Sequence, residues 1–90
     1  MSQKIEQVES RISSVLLKYL EPIWEVNPAG RIKISGATNL VSDLTLDSFQ
    51  IMEFLMEIED EYDIAMDMNS LSEIHTISDL ATVVLPLVKD

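Results

Sequence analysis

The sequence predicts an all-α protein: a small four-helix bundle, with three main helices plus a short third helix and a long first loop. Three observations predict it. Apolar residues recur at helical spacing in three separate stretches. Prolines and helix-capping residues fall at the edges of those stretches. Only Arg31-Ile32-Lys33-Ile34 alternates with the period of a strand, and one such run makes no sheet. The 90 residues are read as one domain spanning 1–90, because a chain this short builds a single core.

The first helix is expected over residues 3–20. Ile5, Val8, Ile12, Val15, Leu16 and Tyr19 form its apolar stripe. Pro22 lacks the N–H that a helix interior needs, so the helix is expected to end near Leu20. Residues 21–47 then read as a long connection punctuated by Pro22, Asn27-Pro28, Gly30, Gly36 and Asn39. A loop this long in a small domain is either functional or packed by its own side chains. Trp24, Val26, Ile32, Ile34, Leu40, Val41, Leu44 and Leu46 are the residues available to pin it.

The strongest helical pattern lies at residues 48–62, where Ile51, Leu55, Ile58 and Tyr62 make one buried stripe. Asp47 is its expected N-cap, with Gln50 completing a capping box. A short helical turn is expected around Ser70–Glu73. Thr76-Ile77-Ser78-Asp79 is a second capping-box pattern, opening a last helix with Ile77, Leu80, Ala81, Val84 and Leu85 on its inner face. Pro86 ends or kinks that helix.

Composition narrows the function classes. The net charge is −10, yet apolar residues make up 47%, which is enough to fold. The charge is uneven: residues 1–42 sum to +1 and residues 43–90 to −11. Such acidity excludes nucleic acid and anionic membrane surfaces as direct ligands. No Cys is present, so disulfides, thiolate metal sites and cysteine nucleophiles are excluded. His75 is the only histidine, which rules out a histidine zinc cluster. Calcium-loop spacing fails from Glu59, where Ile64 replaces the required glycine, and from Asp67, where Ser78 stands at the last ligand position. Ser48 is not in a G-x-S-x-G turn, and no phosphate-binding glycine motif exists. No apolar run approaches the roughly 18 residues that span a bilayer. The start of the chain lacks a basic-then-apolar leader, so a cytoplasmic monomer is expected.

Two features carry chemistry. If Asp47 caps the helix, Ser48 is its first residue, with a hydroxyl not needed for capping. A phosphate ester there suits the free N–H groups and the positive end of the helix dipole, worth roughly 0.3–1 kcal/mol. The plainer alternative makes Asp47-Ser48 a helix-start signal only. Second, Phe49, Met52 and Met56 form an apolar strip away from the core stripe, rimmed by Glu53, Glu59 and Asp60. An apolar strip edged by acids is the build of a docking face for a partner with a basic rim. The alternative is that these residues cover the core under the long loop, as Phe49 is expected to do in part. Like charges at Glu53/Glu57 and Glu57/Glu61 cost a few tenths of a kcal/mol per pair.

Three stretches resemble the acyl carrier proteins. The first is Thr38-Asn39-Leu40-Val41-Ser42-Asp43-Leu44-Thr45-Leu46-Asp47-Ser48-Phe49. The second is Met52-Glu53-Phe54-Leu55-Met56-Glu57-Ile58-Glu59-Asp60-Glu61-Tyr62-Asp63-Ile64, and the third is Ile74-His75-Thr76-Ile77-Ser78-Asp79-Leu80. The resemblance implies a four-helix bundle whose Ser48 carries 4′-phosphopantetheine, delivered from coenzyme A by a phosphopantetheinyl transferase. It implies a non-catalytic carrier of acyl thioesters for fatty-acid or specialised lipid and secondary-metabolite synthesis. Its partners would be acyl- or aminoacyl-activating and acyl-transferring enzymes with basic docking patches. By position, Asp47, Glu53, Met56, Glu59 and Asp60 match the family's recognition residues, and Met52 matches an apolar residue beside the arm. The sequence departs from the family in several places. Thr45 stands where glycine is usual, Phe49 where leucine is, Gln50 where an acid is frequent and Asp67 where proline is common. The first loop is also longer. Asp47-Ser48-Phe49 resembles D-alanyl carriers as well, so an aminoacyl carrier is the alternative, and an acidic helical adaptor without a prosthetic group is a distant one.

Overall fold

A computed structural model describes residues 4–66 and 72–88. Among them the chain forms three α-helices and no strand: α1 (Ile5–Val26), α2 (Ser48–Tyr62) and α3 (Ile77–Val84). Short 3-10 turns follow α1 at Pro28–Gly30 and α3 at Leu85–Leu87. The all-α class is therefore as the sequence predicts. The turn expected around Ser70–Glu73, which would make a fourth helix, lies largely outside the described residues. No helix among the described residues is long and apolar enough to cross a membrane.

α1 corrects the expected boundary. It continues past Pro22 to Val26 instead of ending near Leu20. Proline removes one backbone bond, to the carbonyl of Lys18, and usually breaks a helix. Here the extra turn buries Trp24, 4% exposed, on the same face as the fully covered Ile12, Leu16 and Leu20. Burial of a large aromatic is worth several kcal/mol on that scale and offsets the lost bond. The Arg31 guanidinium lies 5.0 Å from the centroid of the Trp24 ring and closes that end.

The loop between α1 and α2 is pinned to the start of α3. The N–H of Leu40 donates to the His75 carbonyl (2.8 Å), that of Ile77 to Thr38 (3.3 Å) and that of Ser78 to Gly36 (2.9 Å). The Ser78 hydroxyl also donates to a carboxylate oxygen of Glu9 on α1. Gly36 leaves room for that contact: a Cβ would stand 2.8 Å from Glu9 Oε2 and push the carboxylate aside. Arg31–Ile34 is coil, its alternation expressed only as half-buried Ile32 and Ile34 between exposed Arg31 and Lys33. Of the residues expected to pin the loop, Trp24, Leu40, Leu44 and Leu46 are buried, whereas Val26 (88% exposed) and Val41 (53%) are not. Val26 is the last residue of α1, with no element packed over it; Val41 is in a surface turn whose N–H, with that of Ser42, is held by Asn39 Oδ1.

α2 and α3 both begin at the capping boxes read from the sequence. In α3, Thr76 Oγ1 accepts from Asp79 N–H (3.1 Å), and Asp79 Oδ2 accepts from the N–H groups of His75 (3.0 Å) and Thr76 (3.1 Å). Those two backbone donors hold the Asp79 carboxyl below the usual carboxylate range. The native state therefore favours the ionised form, so this contribution is present above the unfolded pKa of about 4 and is lost as pH falls below it. The expected result is an acid limb in the melting profile of the wild type that is shallower in Asp79→Asn, checked by thermal melts between about pH 5 and pH 3.

The core is a single cluster. Val8, Ile12 and Leu16 of α1, Phe54 and Ile58 of α2, and Ile77, Leu80, Ala81 and Val84 of α3 are all fully covered. Phe54 is the largest of the fully buried side chains. The expected α2 stripe is thus shifted: Leu55 and Ile58 are buried, but Ile51 and Tyr62 are only half-buried. The Tyr62 hydroxyl is nonetheless covered, with no partner among the described residues, and burial pushes its pKa up.

Candidate functional site

The start of α2 is fixed by the turn before it. Leu44 and Leu46 are buried, and Thr45 between them takes a left-handed backbone conformation at φ 55°. Such a residue is ordinarily glycine, and a β-branched side chain is strained there. The turn is held by Thr45 N–H to Val41 (2.9 Å) and Leu46 N–H to Leu40 (3.1 Å). The strand-like step that follows delivers Asp47 to the cap position.

Asp47 does the capping. Its Oδ1 accepts from Gln50 N–H (2.8 Å), while Gln50 Oε1 accepts from Asp47 N–H (3.1 Å). The Ile51 N–H goes to the Asp47 carbonyl. Ser48 is then the first helical residue, exposed, with its own N–H and that of Phe49 lacking a partner among the described residues. No acidic side chain lies within the first turn of α2. A phosphoester on the Ser48 oxygen meets two free N–H groups and the positive end of the dipole, while the neighbouring Asp47 carboxylate is engaged on the Gln50 N–H. The residues present fit a phosphate-linked group.

The strip beside it is exposed as a whole: Phe49 is 68% exposed, Met52 41% and Met56 60%. Phe49 does not cover the core, contrary to the expectation from sequence: it points about 140° around α2 from the buried Phe54. Asp60 is exposed on the same side of the helix. The two other acids of the expected rim have partners within the domain. Glu53 accepts from the Tyr19 hydroxyl of α1 (2.8 Å). Glu59 Oε2 accepts from the Met66 N–H (2.8 Å), tying down the chain after α2. Burial first, then the bond to Glu53, pushes the Tyr19 pKa up to about 12. Tyr19 and Met66 were invisible as partners in sequence, since neither contact has a helical spacing.

The acidity of α2 thus divides. Glu53, Glu57 and Glu61 turn toward α1 and line a groove of about 580 Å³ with Lys18, Tyr19 and Pro22. Arg11 meets Glu61 there at 2.8 Å. An exposed pair of this kind contributes little net stability but relieves part of the like-charge repulsion along α2. A second cleft, of about 430 Å³, lies between the end of α1 and the turn at Asp43–Thr45. No sequence pattern announced it, because its walls come from segments whose proximity depends on α1 running past Pro22.

A small helical domain that holds a serine hydroxyl exposed at a helix start, relieved of capping by its neighbour and flanked by apolar side chains, is built as a carrier of a phosphate-linked group. Comparison with known proteins agrees. The family described as "Phosphopantetheine attachment site" matches residues 25–84. Among similar proteins are a probable acyl carrier protein of Caulobacter vibrioides, 28% identical over 59% of this chain and 62% of its own length, and an acyl carrier protein of Brachyspira hyodysenteriae, 30% identical over 63% of this chain and 73% of its own. A third, the acyl carrier protein of Shigella flexneri, is 38% identical over 58% of this chain and 67% of its own. The chain therefore belongs to the acyl carrier protein family, whose cofactor is 4′-phosphopantetheine.

Proposed function

We propose that Ser48 is the attachment residue and that the domain is a non-catalytic carrier of acyl thioesters. The observation that carries this reading is the division of labour at the start of α2, where Asp47 caps and Ser48 stays exposed. In the loading step Ser48 Oγ attacks the pantetheine-bearing phosphorus of coenzyme A, the pyrophosphate P–O bond breaks and adenosine 3′,5′-bisphosphate leaves, and the serine proton goes to a base of the phosphopantetheinyl transferase. The group, once bound, supplies the thiol that a chain without cysteine lacks. Ser48 and Phe49 N–H groups orient the phosphate, and Phe49 and Met52 flank the arm's origin.

Phe49, Met52, Met56 and Asp60 form the face offered to transferase and acyl- or aminoacyl-transferring enzymes with basic rims. Glu53 and Glu59 edge that face while also holding Tyr19 and Met66. A cytoplasmic monomer with the family's four-helix architecture completes the proposal, with fatty-acid or specialised lipid synthesis as its setting. Aminoacyl carriage is the second reading, supported by the resemblance of Asp47-Ser48-Phe49 to D-alanyl carriers. Incubation with coenzyme A and a promiscuous transferase tests the carrier role. Intact mass is expected to rise by one phosphopantetheine per chain, and an unchanged mass rejects it.

A further inference from the structure

We propose that the cleft between the end of α1 and the Asp43–Thr45 turn receives the thioester end of the arm, and that the cargo seated there is a compact acyl group bearing hydrogen-bonding substituents. This rests on the carrier reading of Ser48.

The cleft, of about 430 Å³, is lined in part by Trp24, Asn27, Gly30, Ile32, Asp43 and Thr45. Thr45 precedes Ser48 by three residues, at most about 11 Å along a fully extended chain. That is less than the reach of an arm made of a phosphoester, two amides and a thiol. The lining selects the cargo. Trp24 is only 4% exposed, so it offers a ring edge and not a wide apolar wall. Asn27, Gly30, Asp43 and Thr45 are exposed, and about half of the cleft's accessible surface is polar, set against Ile23, Ala29 and Ile32. A long hydrocarbon laid there covers the polar half of the lining without giving it hydrogen bonds, which offsets the gain on the apolar half. A short acyl group with an amine or hydroxyl finds the Asn27 amide and an Asp43 oxygen. Asp43 Oδ2 already accepts from Asn39 N–H at 2.8 Å, which fixes the carboxylate and leaves the other oxygen without a partner among the described residues. Across the opening the Arg31 guanidinium sits on the Trp24 ring.

The test loads the full chain from β-alanyl- and octanoyl-coenzyme A with a promiscuous transferase, confirms loading by intact mass and compares amide spectra with the unacylated holo form. The β-alanyl protein is expected to shift the amides of Gly30, Ile32 and Thr45 and the indole N–H of Trp24, the only tryptophan. The octanoyl protein is expected to leave all four at their holo positions. Gly30→Leu serves as the blocking variant. A Cβ at Gly30 meets nothing closer than Asn27 Nδ2 at 3.4 Å, and Gly30 does not have positive φ. This variant is expected to load to the same mass and lose the β-alanyl shifts. Full loading with no shift at these four groups, or an octanoyl shift as large as the β-alanyl one, overturns the cleft proposal while the carrier reading stands. Failure to load the wild type at all overturns the carrier reading instead.

Discussion

Ser48→Ala is expected to gain no mass from coenzyme A under conditions that convert the wild type fully, while melting within about 0.5 kcal/mol of it. Both halves follow from the geometry of the helix start. The reacting oxygen is removed, so no other group at that position can form the phosphoester. The helix keeps its cap, because the acceptor for the Gln50 N–H is Asp47 Oδ1 and not the serine. Asp47→Ala is the complementary variant, and it loses about 1 kcal/mol through the cap. Intact mass and thermal melts on the two variants separate reactivity from folding. A mass gain in Ser48→Ala would place the attachment elsewhere.

Phe54→Ala is expected to have the largest effect on stability, about 3–5 kcal/mol. The side chain is fully buried, the largest of that group, and its ring lies 6.3 Å from that of Tyr19 on α1. Truncation opens a cavity between α1 and α2 that a domain of 90 residues closes poorly. Small domains hold about 5–15 kcal/mol in total, so the variant sits near its unfolding threshold. Phe49→Ala, five positions earlier and 68% exposed, is the control, with an expected change within about 0.5 kcal/mol. Urea unfolding of the pair checks both, and equal losses would mean that the two phenylalanines share the burial.

What was legible in the sequence was local. Asp47 with Gln50 and Thr76 with Asp79 mark helix starts through contacts three residues apart, and both are realised. Helical phase places Met52 and Met56 away from the core stripe but leaves open whether the long loop covers them; their exposure settles it. Phe54 was missed because the stripe drawn through Ile51, Leu55, Ile58 and Tyr62 centres too far to one side, and Phe54 flanks it where α1 packs. The α1 end is not legible from Pro22 alone, because its local cost is offset by the burial of Trp24, which depends on loop residues far along the chain. Glu59 looked like a free surface acid for the same reason: its partner is a backbone N–H beyond the helix. Contacts of this second kind have no fixed spacing and must be read from packing.

The bonds joining Gly36 and Thr38 to the first residues of α3, and Leu40 to His75 just before it, bear on the order in which the chain folds. An isolated helix of eight residues is marginal in water, because nucleation costs more than so few turns return. The loop alone also leaves the Gly36 and Thr38 carbonyls without the donors that α3 supplies. Neither segment is therefore a stable intermediate, and closing the long intervening chain is the entropic step that both must await. α1 and α2 can meet beforehand through local helix formation, so the carrier helix takes shape early and the strap that fixes its starting point locks last.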